Sequence, residues 1–257
     1  MLLQPADLEP RRHMSTERER VQEWVSGYVQ QHVPRLVLPC LCAADTFDRA
    51  AAADTLSHDD VKVLAEAARD RSSLLSEYAA SLLGRLAERF PLARKAILEL
   101  SKDRRLRARI NALVALEGIR PSDLHVTVSR AALTDRSSRV RELAADKIRG
   151  WRLTQLLPDI EQAIACESDD ALRGTLIFQR DLMRNGYSVA AANGGFHVTC
   201  QAAGSGLTST WVREEEFQLK GIAAIARELG VDLTSWLTGV AGEPHAAQLD
   251  KRTPKAK

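Results

Sequence analysis

Arginine supplies the most regularly spaced chemistry in this chain. Arg107 and Arg109 recur as Arg139 and Arg141, 32 residues further on, with Arg104, Arg105, Arg136, Lys147, Arg149 and Arg152 around them. Residues 101–152 hold 13 Lys/Arg against 6 Asp/Glu, a local charge of +7, although the net charge of all 257 residues is only +2. The flanking stretches 42–100 (8 against 10) and 153–192 (3 against 6) lean acidic. A planar guanidinium fits carboxylate and phosphate equally well, so the chemistry on offer is recognition of anions. Two sets separate by register. Arg109, Arg141 and Arg173 share one position and are expected to pair with acids of neighbouring repeats, in a ladder that includes Asp103 and Asp135. Arg104, Arg107, Arg136, Arg139, Arg149 and Arg152 exceed that need. Together with Trp151, the single aromatic inside the basic block, they form the candidate partner-binding surface.

Other reactive residue types are arranged without a catalytic pattern. Six histidines show no metal-ligand spacing, and the four cysteines (Cys40, Cys42, Cys166, Cys200) form no C-x-x-C pair. Cys40 and Cys42 sit in an apolar run, where reduced core thiols are expected. Gly204-Ser205-Gly206 lacks the flanks of a nucleophile elbow and is expected to be a turn. No metal, no cofactor and no covalent catalysis is expected.

The arginines belong to a repeated phrase. Asp103-Arg-Arg-Leu-Arg107-Ala-Arg109-Ile-Asn-Ala112-Leu113 returns as Asp135-Arg-Ser-Ser-Arg139-Val-Arg141-Glu-Leu-Ala144-Ala145. An echo follows at Glu167–Ile177, and Asp70–Ala80 keeps the frame one period upstream. A fixed period of this length marks a solenoid, whose helix pairs bury their apolar faces against one another. The pairs predicted are Ser57–Ala68 with Ser72–Arg89, Pro91–Leu100 with Arg104–Glu117, Pro121–Leu133 with Ser137–Arg149, and Thr154–Cys166 with Asp169–Arg184. Ser57, Ser101 and Ser168 are expected as caps. The small residues Ala79, Ala112 and Ala144 recur where adjacent helices must approach closely. Upstream, Thr16-x-x-Glu19 is a capping box, Pro34 ends or restarts that helix, and Asp45 is expected to cap a short helix to about Ala53.

At Gly186 the apolar period shortens to two. Tyr187–Ala192, Phe196–Gln201 and Leu207–Val212 are predicted strands, with Asn193-Gly194 as a tight hairpin turn. Phe196, Val198 and Cys200 should share a face, with Leu207, Ser209 and Trp211 as counterparts. The helix Glu214–Leu229 should cover it through Phe217, Ile222, Ile225 and Leu229, and a last short helix is expected from Asp232 (Leu233, Trp236, Leu237). The chain therefore divides into a disordered N-terminus (1–14), a helical repeat array (15–185), a βββα cap (186–241) and a disordered tail (242–257). Either Met1 or Met14 could begin translation. No apolar run resembles a signal peptide or a membrane span, so a cytoplasmic location is expected, and the excess of Arg over Lys (28 to 8) suggests a bacterial source.

The phrase at 135–145 resembles the HEAT repeat, well there, fairly at 103–113 and partially at 70–80 and 167–177. The resemblance covers residues 56–184 and does not extend to the βββα module. It implies a mainly α fold, an α-solenoid of HEAT-like helix pairs, here followed by a small three-stranded antiparallel sheet plus helix. It also implies a scaffold that holds another macromolecule on its concave face. A non-catalytic protein binder is therefore expected, and one form is an inhibitor or immunity-type protein that sequesters a toxin or enzyme. The alternative is a nucleic-acid binder using the 101–152 block. Its enzymatic version would resemble the alkylpurine DNA glycosylases among HEAT-like solenoids, with Asp146 and Trp151 as the residues facing a damaged nucleotide.

Overall fold

A computed structural model describes residues 16–202 and 206–233. The expected termini, the Ser205 turn and most of the last short helix lie outside these residues. Thr16 opens α1 (Glu17–Trp24): its hydroxyl accepts from the Glu19 N–H at 3.1 Å, and the Glu19 carboxylate accepts from the Thr16 N–H at 3.0 Å. A π-helical turn (Val25–Val29) leads into the short α2 (Gln30–His32), and Pro34 starts a 3-10 turn that feeds α3 (Val37–Ala53). The expected break at Asp45 does not occur. Asp45 lies within α3, where backbone donors are already bonded within the helix, and its carboxylate pairs with Arg18 of α1 instead.

Four helix pairs follow: α4 (His58–Ala67) and α5 (Ser73–Ala87), α6 (Pro91–Leu100) and α7 (Leu106–Val114), α8 (Asp123–Leu133) and α9 (Ser138–Gly150), α10 (Leu157–Cys166) and α11 (Asp170–Asn185). Each helix packs on its partner and on its counterpart in the next pair, so α4, α6, α8 and α10 form one row and α5, α7, α9 and α11 the other. The caps differ in part from expectation. Ser57 caps α4, but Asp169 rather than Ser168 caps α11, Ser122 rather than Pro121 opens α8, and Ser101 closes α6. An Asp carboxylate reaches two N–H groups of the first turn at 2.9 and 3.2 Å, which explains its preference over the adjacent serine.

The two rows enclose one apolar core that runs from Ala43 to Met183. Ala79, Ala112 and Ala144 are fully buried in the second row. Closest of all is the approach at Gly84, where an added Cβ would stand 1.7 Å from the Ala115 carbonyl oxygen. A separate apolar cluster (Val21, Val25, Val29, Leu36, Cys40, Ala44, Leu75) joins α1 and α3 to α5.

The C-terminal sheet has the antiparallel order β1 (Tyr187–Ala192), β2 (Gly195–Gln201), β3 (Leu207–Arg213), with Asn193-Gly194 as a two-residue loop. Gly194 has φ 73°, which such a turn demands. Phe196, Val198 and Cys200 are buried as expected, but their partners across the ladder are Val212, Thr210 and Thr208. Leu207, Ser209 and Trp211 occupy the opposite, exposed face. A one-residue change of register reverses every side chain of a strand, and β3 carries large apolar residues at positions of both parities. The cover is α12 (Glu214–Glu228), which presents Phe217, Ile222 and Ile225 to the sheet and is interrupted at Gly221. The molecule is thus mainly helical, with a small three-stranded sheet and a helix at its C-terminal side. Among the described residues no helix is long and apolar enough to cross a membrane.

Candidate functional site

The acid that begins each repeated phrase holds the turn between the helices of its pair. Its carboxylate accepts the backbone N–H two residues on: Asp70 from Ser72 at 2.7 Å, Asp103 from Arg105 at 2.8 Å, Asp135 from Ser137 at 2.8 Å and Glu167 from Asp169 at 3.1 Å. Its carbonyl accepts from the arginine six residues on. Arg109 reaches the Asp103 carbonyl at 2.9 Å, Arg141 the Asp135 carbonyl at 2.8 Å and Arg173 the Glu167 carbonyl at 3.0 Å. The same carboxylate also receives an arginine from the preceding pair. Arg109 grips Asp135 through Nε and Nη2 at 2.6 and 3.0 Å, and Arg141 meets Glu167 through the same two nitrogens at 2.8 and 2.7 Å.

The ladder begins and ends differently. At the arginine position the first repeat has Ser76, and Arg69 supplies the guanidinium to Asp103 at 2.8 Å. Arg173, at the other end, pairs with Asp170 of its own helix. Burial alone would raise the Asp103 carboxyl, but the Arg105 N–H and the Arg69 guanidinium outweigh it and hold the group below its ordinary value. The Asp169 N–H and Arg141 lower Glu167 in the same way.

After three of these four acids comes an arginine that faces water: Arg71, Arg104 and Arg136. These lie along the turns of three successive pairs. Arg136 bridges two of them, donating from Nη2 to the Arg104 carbonyl at 2.6 Å. Arg139 is exposed and makes no hydrogen bond or ion pair with a described residue. Arg107 is half-buried and pairs with Glu77 at 3.3 Å. Arg152 is exposed at a left-handed backbone position (φ 55°) just past α9.

Two of the predicted site residues turn inward. Arg149 donates to Gln179 at 2.7 Å, to Gln201 of β2 at 3.0 Å and to Asp146 at 2.9 Å, so it ties α9 to α11 and to the sheet. Trp151 packs on the main core and meets the buried His125 ring edge-on, with centroids 4.8 Å apart at 89°. His125 Nδ1 accepts the Ser122 N–H at 3.1 Å, which leaves Nε2–H to donate to the Leu116 carbonyl at 3.1 Å. Burial lowers the pKa of this histidine. Asp146 thus pairs with Arg149, whereas Trp151 packs on the core beside His125.

The outward arginines converge on a groove of about 1050 Å³. Arg35, Leu36 and Pro39 form one wall, Arg69, Arg71 and Leu75 the second, and Arg104, Arg105, Leu106 and Arg107 the third. Sequence reasoning nominated Arg104 and Arg107 of this set and missed Arg35, Arg71 and Arg105 as contributors. A signal for Arg71 existed in the Asp-Arg dipeptide repeated at 70–71, 103–104 and 135–136. Arg35 precedes the repeats, and only the packing of α3 on α5 brings it there. Arg136 and Arg139 continue the basic edge beyond the groove. A smaller groove of about 340 Å³ lies beside α8 and α10, where Arg130 is paired with Asp159 at 2.9 Å and Arg141 with Glu167.

Among the described residues no group of three or more His, Cys, Asp or Glu could hold a metal ion. Cys40 and Cys200 lie in different apolar clusters, where burial pushes each thiol up to about 11. No protein-family model matches the chain, and neither the curated proteins nor the solved structures provide a match.

Proposed function

We propose that this protein is a non-catalytic, HEAT-like repeat scaffold that binds a partner protein along the turns between its paired helices. One observation carries the reading: the arginines divide into an inward ladder committed to acids and carbonyls of the turns and an outward set, most of which forms no ion pair. Arg35, Arg71, Arg104, Arg105 and Arg139 all lack an ion-pair partner among the described residues. A row of such cations raises the association rate and the specificity for an acidic surface. Sequestration of a toxin or enzyme, as an inhibitor or immunity-type protein does, is one use of such a surface in a bacterial cytoplasm.

The test is recovery of a complex from cells expressing the tagged full chain, identification of its partner, and reconstitution from purified components. The double variant Arg136→Ala, Arg139→Ala should weaken the reconstituted complex about two- to thirtyfold, since each exposed charge pair contributes roughly 0.2–1 kcal/mol. A complex of undiminished affinity sinks the assignment of this edge.

A second reading, nucleic-acid binding, draws on the row of Arg71, Arg104 and Arg136 on consecutive turns. Its mark is a steep loss of duplex affinity with salt, on the order of 10³-fold between 50 and 200 mM for six or more phosphate contacts. Arg149 and Trp151 are unsuitable probes of either reading, because both are committed to packing.

A further inference from the structure

We infer that the groove between the α2–α3 turn and the turns that open α5 and α7 receives an extended acidic peptide carrying an aliphatic side chain, presented by the partner protein. This rests on the scaffold reading above and names the chemistry of what that scaffold takes. The charges in the groove do not balance. Arg69 is committed to Asp103 at 2.8 Å and to Glu66 at 3.4 Å, and Arg107 to Glu77 at 3.3 Å. Asp70 is occupied by the Ser72 N–H. Glu66 and Asp70, the two acids that line the groove, are thus engaged, and Arg35, Arg71, Arg104 and Arg105 form no ion pair among the described residues, Arg105 feeling only the field of Asp103. Held on four separate backbone positions, their guanidinium forks suit carboxylates spaced along a chain better than one compact anion.

The floor decides between ligand classes. It is aliphatic: Leu36 and Leu75 are buried at its base, and Leu106 is 41% exposed at its lip. A nucleic-acid strand gains affinity by stacking its bases on aromatic rings, and no Phe, Tyr or Trp lines this groove. An aliphatic side chain flanked by Asp or Glu satisfies the floor and the rim together.

The experiment is selection of a displayed library of random peptides of about ten residues, an extended span of roughly 33 Å, on the immobilised full chain. Enriched peptides should carry Asp and Glu on either side of at least one Leu, Ile or Val. Measured by fluorescence anisotropy, their affinity should fall at least about fourfold in the variant Arg35→Ala, Arg71→Ala, Arg104→Ala, Arg105→Ala. It should fall severalfold for Leu106→Asn, a change at a partly exposed position. Arg184→Ala, which removes an exposed arginine paired with Glu161 elsewhere, should leave it unchanged. Unchanged circular dichroism melts show that each variant is folded. Enrichment without acids, equal enrichment on the quadruple variant, or no enrichment at all overturns the inference. So does a single-stranded oligonucleotide that binds more tightly than the selected peptides with the same arginine dependence. The scaffold reading has a separate test in Arg136 and Arg139, outside the groove, so the two can fail independently.

Discussion

Removing Arg109 should be far more damaging than removing any arginine of the outer edge. Its side chain is 7% exposed and that of its partner Asp135 is 8% exposed. The guanidinium makes two bonds to the carboxylate, at 2.6 and 3.0 Å, and two more to the Asp103 and Arg104 carbonyls, at 2.9 and 3.1 Å. Arg109→Ala leaves Asp135 as a buried carboxylate with the Ser137 N–H as its remaining bond, and strands two carbonyls. Breaking a buried pair from one side costs about 3–5 kcal/mol, because the surviving charge stays desolvated. Arg130→Ala breaks an exposed pair with Asp159 and should cost no more than about 1 kcal/mol. Urea unfolding followed by circular dichroism and tryptophan fluorescence measures both without screening the charges. The sharper test is a cycle with Asp135→Asn, which keeps an oxygen for Ser137 but removes the charge. Alone it should destabilise by about 1–3 kcal/mol, whereas on top of Arg109→Ala it should recover stability. If Arg109→Ala costs under about 1 kcal/mol, or if Asp135→Asn destabilises equally in both backgrounds, the ladder does not hold the pairs together.

Gly84→Ala places a methyl against the Ala115 carbonyl at 1.7 Å and should destabilise by at least about 1–3 kcal/mol, as α5 and α7 separate. Gly118→Ala, with open space but φ 76°, should cost only about 1–2 kcal/mol, and thermal melts of the two variants check the order. Stability should fall as pH drops through the ordinary histidine range, about 7 to 5. The unfolded chain then binds a proton that buried His125 refuses, and His125→Gln should flatten that slope in urea titrations. A further loss should follow below about pH 4. Asp60, Asp103 and Glu167, all held below their ordinary values, then protonate and lose the stability they contribute above it. Glu17→Ala removes the acceptor of Tyr78 (3.2 Å) and Arg85 (2.6 Å), and hydrogen exchange should quicken in α1 while α8 and α9 stay protected.

Much of the array was legible because its physics is local and periodic. The acid recurs every 32 to 33 residues, and the arginine six residues later and the small alanine nine residues later each recur in three of the four repeats, so successive pairs solve the same turn and much the same helix contact. Asn193-Gly194 likewise prescribed its hairpin. Three errors have a common cause in distance along the chain. Asp45 looked like a cap because Asp favours helix starts, yet Arg18 of another helix claims it. The register of β3 was ambiguous because Leu207 and Trp211 are as apolar as Val212, and only the cover by α12 selects a face. Arg149 was grouped with the outward arginines by composition, but the sheet docks where its side chain points and supplies Gln201.

The sequence by itself therefore determined the four repeated helix pairs and the ladder roles of Arg109 and Arg141, since backbone propensity, capping and a repeated packing unit act within one period. Only the tertiary structure decided which remaining cations are free and where they meet. Arg35, Arg71 and Arg104 come from three different turns, and a long-range packing of helices sets their separation, which no spacing along the chain encodes.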